Sequence, residues 1–229
     1  MRHALVSETR GLVAVMLAAF PGRIATVSSF GIESAVLLHI LAGIDRAAPV
    51  IFLDTGKLFP ETLEYRDILT GRLGLADVRT IRPDRDRLAT IDPQGTLWRS
   101  DADRCCWNRK VEPLEESLRG FTAWMTGRKR AQGAARAGLD AIEAGPDGRI
   151  KVNPLAAWDG GDIAAYFAAH DLPRHRLLAR GYPSVGCLPC TAAVRPGEAP
   201  RSGRWHGSAK TECGIHTARS RHLEEAPTP

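Results

Sequence analysis

The chain has 229 residues, of which 44% are hydrophobic and 25% charged, with a formal charge of +5 and a pI near 9.2. Those values exclude a disordered chain and suit one large or one-and-a-half ordinary domains. The basic excess fits an acidic partner, but no basic run with interleaved aromatics supports nucleic acid over a phosphorylated small molecule.

The apolar run Leu12–Phe20 resembles a signal-peptide core, but Glu8 stands where a leader would be purely basic, and a strand pattern begins at Ile24. Residues 8–20 instead predict an amphipathic helix with Leu12, Val15, Met16 and Ala19 on one side. No stretch approaches the ~20 apolar residues that cross a bilayer. Ile24–Val27 predicts a short strand, followed by the small polar turn Ser28–Ser34 and a helix over Ala35–Leu41. Strand, polar turn and helix offer backbone amides and a helix N-terminus to an anion. The turn has a single glycine, so it is neither a Walker A loop nor a dinucleotide fingerprint.

A second strand is expected at Val50–Leu53, ending at Asp54-Thr55-Gly56, then a helix over 59–73 and a strand over Asp77–Ile81. Further strands are expected at Phe121–Met125 and Ile150–Val152, the former running into the polar, cationic Thr126–Arg130. Alternating strands and helices predict an α/β fold with a parallel twisted sheet flanked by helices. From about Gly181 proline and glycine become dense and periodicity fades. The expected organisation is an α/β nucleotide-binding domain over 1–180, an irregular catalytic C-terminal segment over 181–216, and a flexible tail over 217–229. No internal repeat is visible.

Five cysteines, two of them adjacent, fit a disulfide framework badly and point to reduced sulfur in the cytoplasm. Cys105-Cys106 and Cys187-x-x-Cys190 form one candidate metal set, for zinc or an iron–sulfur cluster. Adjacent cysteines point in different directions along the backbone, which favours a bulky cluster over one small ion. Cys213 stands apart. Gly214 bares the backbone beside its sulfur, and Lys210 and His216 bring positive charge that favours a nucleophilic thiolate over an inert thiol.

From about Ile24 to His216 the chain resembles the family of assimilatory adenylyl-sulfate (APS) and phosphoadenylyl-sulfate (PAPS) reductases. The resemblance rests on S-F-G-I-E-S at 29–34, L-D-T-G-K-L-F-P-E-T at 53–62, C-C-W-N-R-K-V-E-P-L at 105–114 and G-R-K-R-A-Q-G-A-A-R at 127–136. It continues through K-V-N-P-L-A-A-W at 151–158, G-Y-P-S-V-G-C-L-P-C-T at 181–191, R-S-G-R-W at 201–205 and E-C-G-I-H at 212–216.

The resemblance implies a fold like that of the PP-loop adenine-nucleotide hydrolases and reduction of APS to sulfite and AMP. It implies a [4Fe-4S] cluster on Cys105, Cys106, Cys187 and Cys190, and a cysteine S-sulfonate formed on Cys213. Lys110, Arg136, Arg201, Arg204 and His216 would contact the phosphosulfate. Ser28, Ser29, Phe30 and Ser34 would shape the nucleotide turn, with Asp54 and Gly127 beside it.

With Cys213 the single thiol outside the metal set, a second thiol must come from thioredoxin or glutaredoxin. The segment carrying Cys213 is expected to close over the nucleotide and then open to that partner. The runner-up is a PAPS reductase. Less favoured are a cluster- or zinc-bearing nucleic-acid-binding module and an ATP-dependent sulfur-transfer enzyme, the latter opposed by Phe30 and Glu33 in place of Gly and Asp in the turn. Trp158 and Trp205 read as packing residues. Oligomeric state is not legible, a homo-oligomer being compatible with the sequence.

Overall fold

Apolar residues on both faces of the central strands build a two-sided core. The computed structural model describes residues 2–145 and 147–216; the tail expected at 217–229 lies outside the described residues. Strands β1 (Ile24–Val27), β2 (Val50–Leu53), β3 (Val78–Ile81), β4 (Ala123–Thr126), β5 (Ile142–Ala144) and β6 (Ile150–Val152) form one sheet in the order β3-β2-β1-β4-β6-β5. All neighbours are parallel except β5, which pairs antiparallel with β6. That edge strand was not expected from the sequence.

Val50, Phe52, Ala123 and Met125 face one side, packed with helices α1 (His3–Ala19), α2 (Ser34–Ala42) and α8 (Gly160–Ala169). Ala25, Val27, Ile51 and Trp124 face the other, against Leu114 and Leu118. Leu114 lies on α7 (Glu112–Ser117), and Leu118 follows its end. Helix α3 (Pro60–Leu73) starts at a proline and ends at Gly74, whose φ is +64°. Trp158 is 1% exposed, and its indole N–H donates to Thr9 Oγ1 at 2.8 Å, so it packs the core as expected.

The chain runs outward from β1 through β2 to β3, then returns to place β4 on the other side of β1. This reversal opens a crevice at the carboxyl ends of β1 and β4, the place where open α/β sheets bind ligands. The turn after β1 is fixed by Phe30, which is fully buried and edge-on to Phe52 with ring centres 5.3 Å apart. Its φ of +46° is a left-handed conformation that costs a non-glycine residue about 1–3 kcal/mol. Burying the ring, at about 1.5–3 kcal/mol, offsets that cost.

Between β3 and β4 lie the short helices α4 (Arg85–Ile91), α5 (Leu97–Ser100) and α6 (Ala102–Cys106). Asp84 and Asp101 cap the first and third by accepting from the amides of Arg87 and Arg104 at 2.7 and 2.8 Å. Helix α6 passes into a widened π turn, Trp107–Val111, and then into α7. Inside this region Arg109 donates to Asp92 Oδ2 at 2.6 Å and to the Thr55 carbonyl at 2.9 Å, tying the helical insert to the end of β2. The two side chains are 9% and 2% exposed.

Burial pushes the Asp92 carboxyl up, but the Arg109 guanidinium and the Leu97 amide outweigh it and hold it below the usual range. Asp92→Ala leaves a buried guanidinium without its counter-charge and should cost about 3–5 kcal/mol in denaturant unfolding near neutral pH. Because the folded value is depressed, that stabilisation is complete above the unfolded value of about 3.9 and is lost as pH falls through the folded one. The gap between wild type and variant should therefore narrow on acidification; a gap that widens would contradict the pairing.

Candidate active site

A cavity of about 500 Å³ fills the crevice between β1 and β4. Its floor is the turn after β1, with Ser29, Gly31 and Ser34, and the end of β4, with Thr126, Gly127, Arg128 and Lys129. Ser34 Oγ accepts from the Gly31 amide at 2.9 Å, and Ser28 Oγ from the Phe30 amide at 3.2 Å, so both hydroxyls shape the turn. The opposite wall is the C-terminal segment, with Arg201, Arg204, Trp205, Glu212, Cys213 and His216. Lys110, reaching up from the π turn, completes the enclosure.

Of the residues singled out from the sequence, Ser29, Ser34, Lys110, Gly127, Arg136, Arg201, Arg204, Cys213 and His216 line this one cavity. Ser28, Phe30 and Asp54 do not. Ser28 and Phe30 support the turn from behind, while Asp54 accepts from Arg82 Nε at 3.0 Å and the Gly56 amide at 3.1 Å.

Glu33, Gln132 and Glu212 were not expected among the site residues. Lys129 Nζ and Gln132 Nε2 reach Glu33 Oε2 at 2.5 and 3.2 Å, and Gln132 also accepts from Arg136. Glu212 takes Arg136 in a fork at 2.6 and 2.7 Å. The one available signal was position, since all three lie inside motifs quoted for other residues, Glu33 being read only as a departure within the turn.

The C-terminal segment is held on both sides of Cys213. Lys210 pairs with Asp103, Arg201 donates to the Thr211 carbonyl at 3.0 Å, and Ile215 packs on the core around Trp124. The His216 ring stacks on Trp124 with centres 5.6 Å apart and planes 5° off parallel, and its carbonyl accepts from Lys151 Nζ at 3.4 Å. Gly214, at φ +91°, makes the left-handed turn that lets the chain reverse directly after the cysteine. Cys213 also borders a second, outer groove of about 1190 Å³, between Trp98, Trp107 and the 205–214 segment. The thiol thus stands between an inner cavity and an outer one.

Positive charge dominates the inner cavity. Burial together with Arg136 pulls Arg201 down to about 10, and burial lowers Arg204 and Arg128 as well. Lys151, behind the wall, falls to about 8 through burial and the nearby Arg128. Burial and the same cations hold His216 well below its ordinary value, so its imidazole is neutral. Burial leads each of these shifts, and at Arg128, Arg201, Lys151 and His216 neighbouring cations add to it, a contribution that an anion would offset.

Beneath the cavity, Cys105, Cys106, Cys187 and Cys190 line one small chamber together with Arg109, Lys110, Arg204 and Trp205. Cys105 and Arg109, like Cys106 and Lys110, are four residues apart, so the α6 helix and π turn bring both pairs toward the chamber. The opposite side is the 187–190 turn, paired with Leu58 through Cys187 and bonded from the Thr55 hydroxyl to the Cys187 sulfur at 3.3 Å. Gly186 allows Arg204 in, since a Cβ there would lie 2.2 Å from the guanidinium.

Burial raises the Cys187 thiol, but Lys110 and the Thr55 hydroxyl outweigh it and lower its value; burial pushes Cys106 up to about 12. Among the described residues no three His, Cys, Asp or Glu groups gather as they would around a single metal ion. The N–H groups at Arg109 Nε, Arg204 Nε and Trp205 Nε1 are buried without a partner among the described residues, and their residues all line the chamber. Four thiols and three orphaned donors around one chamber fit an anionic group rich in acceptor atoms.

Comparison with known proteins accords with this arrangement. Residues 23–193 match the phosphoadenosine phosphosulfate reductase domain family. The chain is 56% identical over 197 residues to an adenosine 5'-phosphosulfate reductase of Mesorhizobium japonicum, covering 86% of this chain and 77% of that one. It is 40% identical over 200 residues to the reductase of that name from Mycobacterium tuberculosis, covering 84% and 76%. Among solved structures, a phosphoadenylyl-sulfate reductase from Candida auris superposes with a TM-score of 0.70 at 26% identity, over 81% of this chain and 90% of that one. The FMN adenylyltransferase of Candida glabrata shares the fold, with a TM-score of 0.62 at 16% identity over 99% and 77%. No helix among the described residues is long and apolar enough to cross a membrane. The chain belongs to the phosphoadenosine phosphosulfate reductase family of oxidoreductases, and to its adenosine 5'-phosphosulfate reductase branch.

Proposed function

We propose that this protein reduces APS to sulfite and AMP through Cys213, in cytoplasmic sulfate assimilation. The observation that carries the reading is the position of Cys213, facing a cation-lined cavity at the nucleotide crevice and an outer groove on its other side. The Cys213 thiolate attacks the sulfur of APS. The S–S bond forms, the bond from sulfur to the bridging phosphate oxygen breaks, and AMP leaves with that oxygen. The enzyme is left as a cysteine S-sulfonate.

Lys110, Arg201 and Arg204 offset the charge of the phosphosulfate during attack by an anion, with Arg136 at the same end and held by Glu212, while the neutral His216 offers a hydrogen-bonding contact rather than charge. Ser29, Ser34 and Gly127 border the nucleotide end. One thiolate of a reduced thioredoxin or glutaredoxin then attacks the Cys213 sulfur and releases sulfite. Its second thiol resolves the mixed disulfide, so two electrons pass from the dithiol to the sulfur of APS. The outer groove supports access by a partner of that size.

Cys105, Cys106, Cys187 and Cys190 would hold a [4Fe-4S] cluster, and the orphaned N–H groups of the same chamber match the acceptors such a group presents. When bound, the cluster supplies a cross-link between the 105–110 and 186–190 turns and a fixed negative charge beneath Lys110. The residues themselves do the rest: Lys110, Arg201 and Arg204 hold the anion, and the C-terminal segment excludes water.

Anaerobically purified protein with reduced thioredoxin should release sulfite from APS in strong preference to PAPS. Reversed preference would make PAPS the substrate, equal preference would make the enzyme act on both, and either would leave the Cys213 chemistry standing. Cys213→Ser should bring sulfite release below about one-thousandth of wild type while leaving APS binding in place. Cys106→Ser should lose iron, read by metal analysis, together with activity; full activity in an iron-free variant would remove the cluster from the mechanism.

A further inference from the structure

The residue before the nucleophile is a carboxylate facing a cavity built for anions. Glu212 meets Arg136 fork to fork, Nε to Oε1 at 2.6 Å and Nη2 to Oε2 at 2.7 Å, and Arg201 Nη2 lies 3.5 Å from Oε2. The Arg136 and Glu212 side chains are 10% and 20% exposed, so the pair is shielded from water. Burial pushes the Glu212 carboxyl up, yet Arg136 outweighs it and keeps it ionised. Arg136 in turn bonds Gln132, Gln132 bonds Glu33, and Glu33 stands at the start of α2 in the turn after β1. A continuous polar chain therefore runs from the nucleotide turn to the peptide of Cys213.

We propose that Glu212 is a positioning residue that seats the Cys213 sulfur by clamping its peptide onto Arg136 and Arg201. The proposal rests on the reading of Cys213 as the nucleophile toward APS. A competing role for Glu212 would be that of a stand-in anion, filling the phosphosulfate place until substrate displaces it. Two features favour the clamp. The cavity keeps about 500 Å³ with the fork closed, within the range of small-ligand pockets, so Glu212 need not leave. Lys110 and Arg204 line the same cavity and make no ion pair among the described residues, leaving cations for the substrate while Glu212 stays in place. Holding a nucleophile within reach of its target is where a small displacement costs most in rate.

The test uses the full holoenzyme with Glu212→Gln, Glu212→Asp and wild type. Alkylation of Cys213 by iodoacetamide without substrate is followed by peptide mass, and AMP release from APS with excess reduced thioredoxin as the two-electron donor gives kcat and KM. Loss of a charge-assisted fork should raise Cys213 alkylation about 10-fold and lower kcat about 10- to 100-fold, with KM within about 3-fold. Glu212→Asp keeps the charge and should recover part of both. A lower KM with unchanged kcat in Glu212→Gln would make Glu212 a stand-in anion and overturn the clamp, as would no change in any readout. If wild type releases no AMP from APS, the functional reading fails, and the alkylation arm, which needs no substrate, still decides the clamp.

Discussion

Everything around the site follows from one electrostatic constraint: cations are crowded into a partly dry crevice with few carboxylates to answer them. The fold tolerates this because most of the cations are tied by carboxylates at the cavity wall or behind it. Glu33 holds Lys129, Glu143 holds Arg128 and Lys151, and Glu212 holds Arg136. Lys110 and Arg204 are left facing the cysteine chamber below and the nucleotide cavity above. Burial depresses both Arg201 and Arg204, and at Arg201 the neighbouring Arg136 adds repulsion. An arriving anion lowers that repulsion, so binding energy comes from charge the folded protein already carries.

The architecture was legible where local pattern and burial agree. Ile24–Val27, Val50–Leu53 and Ile150–Val152 run between the same residues in the sequence pattern and in the sheet, because buried parallel strands are short, β-branched runs ending in polar residues. The strand β5 was not legible: Ile142-Glu143-Ala144 lies at the sheet edge, half exposed, with no apolar run to announce it. Helices α4 and α5 bury none of their residues and have no apolar stripe to read.

In the site, Cys213 and the basic residues were visible as chemistry-bearing types in motifs. Their partners were not. Arg136 and Glu212 lie 76 residues apart, and nothing in either local pattern says they meet. Pairing across the fold is a property of the sheet order, which brings the end of β4 opposite the C-terminal segment.

The π turn at Trp107–Val111 carries a consequence for how this stretch can change over time. A loop absorbs an inserted or deleted residue, but a continuous helix passes it on as a rotation of about 100° for everything downstream. Cys105 and Cys106 precede the turn, Arg109 and Lys110 lie within it, and Leu114 follows, bound to the sheet. A change in length would turn the chamber's residues away from one another while the sheet still held α7, so the stretch is constrained in residue count as well as in the identity of its cysteines and cations.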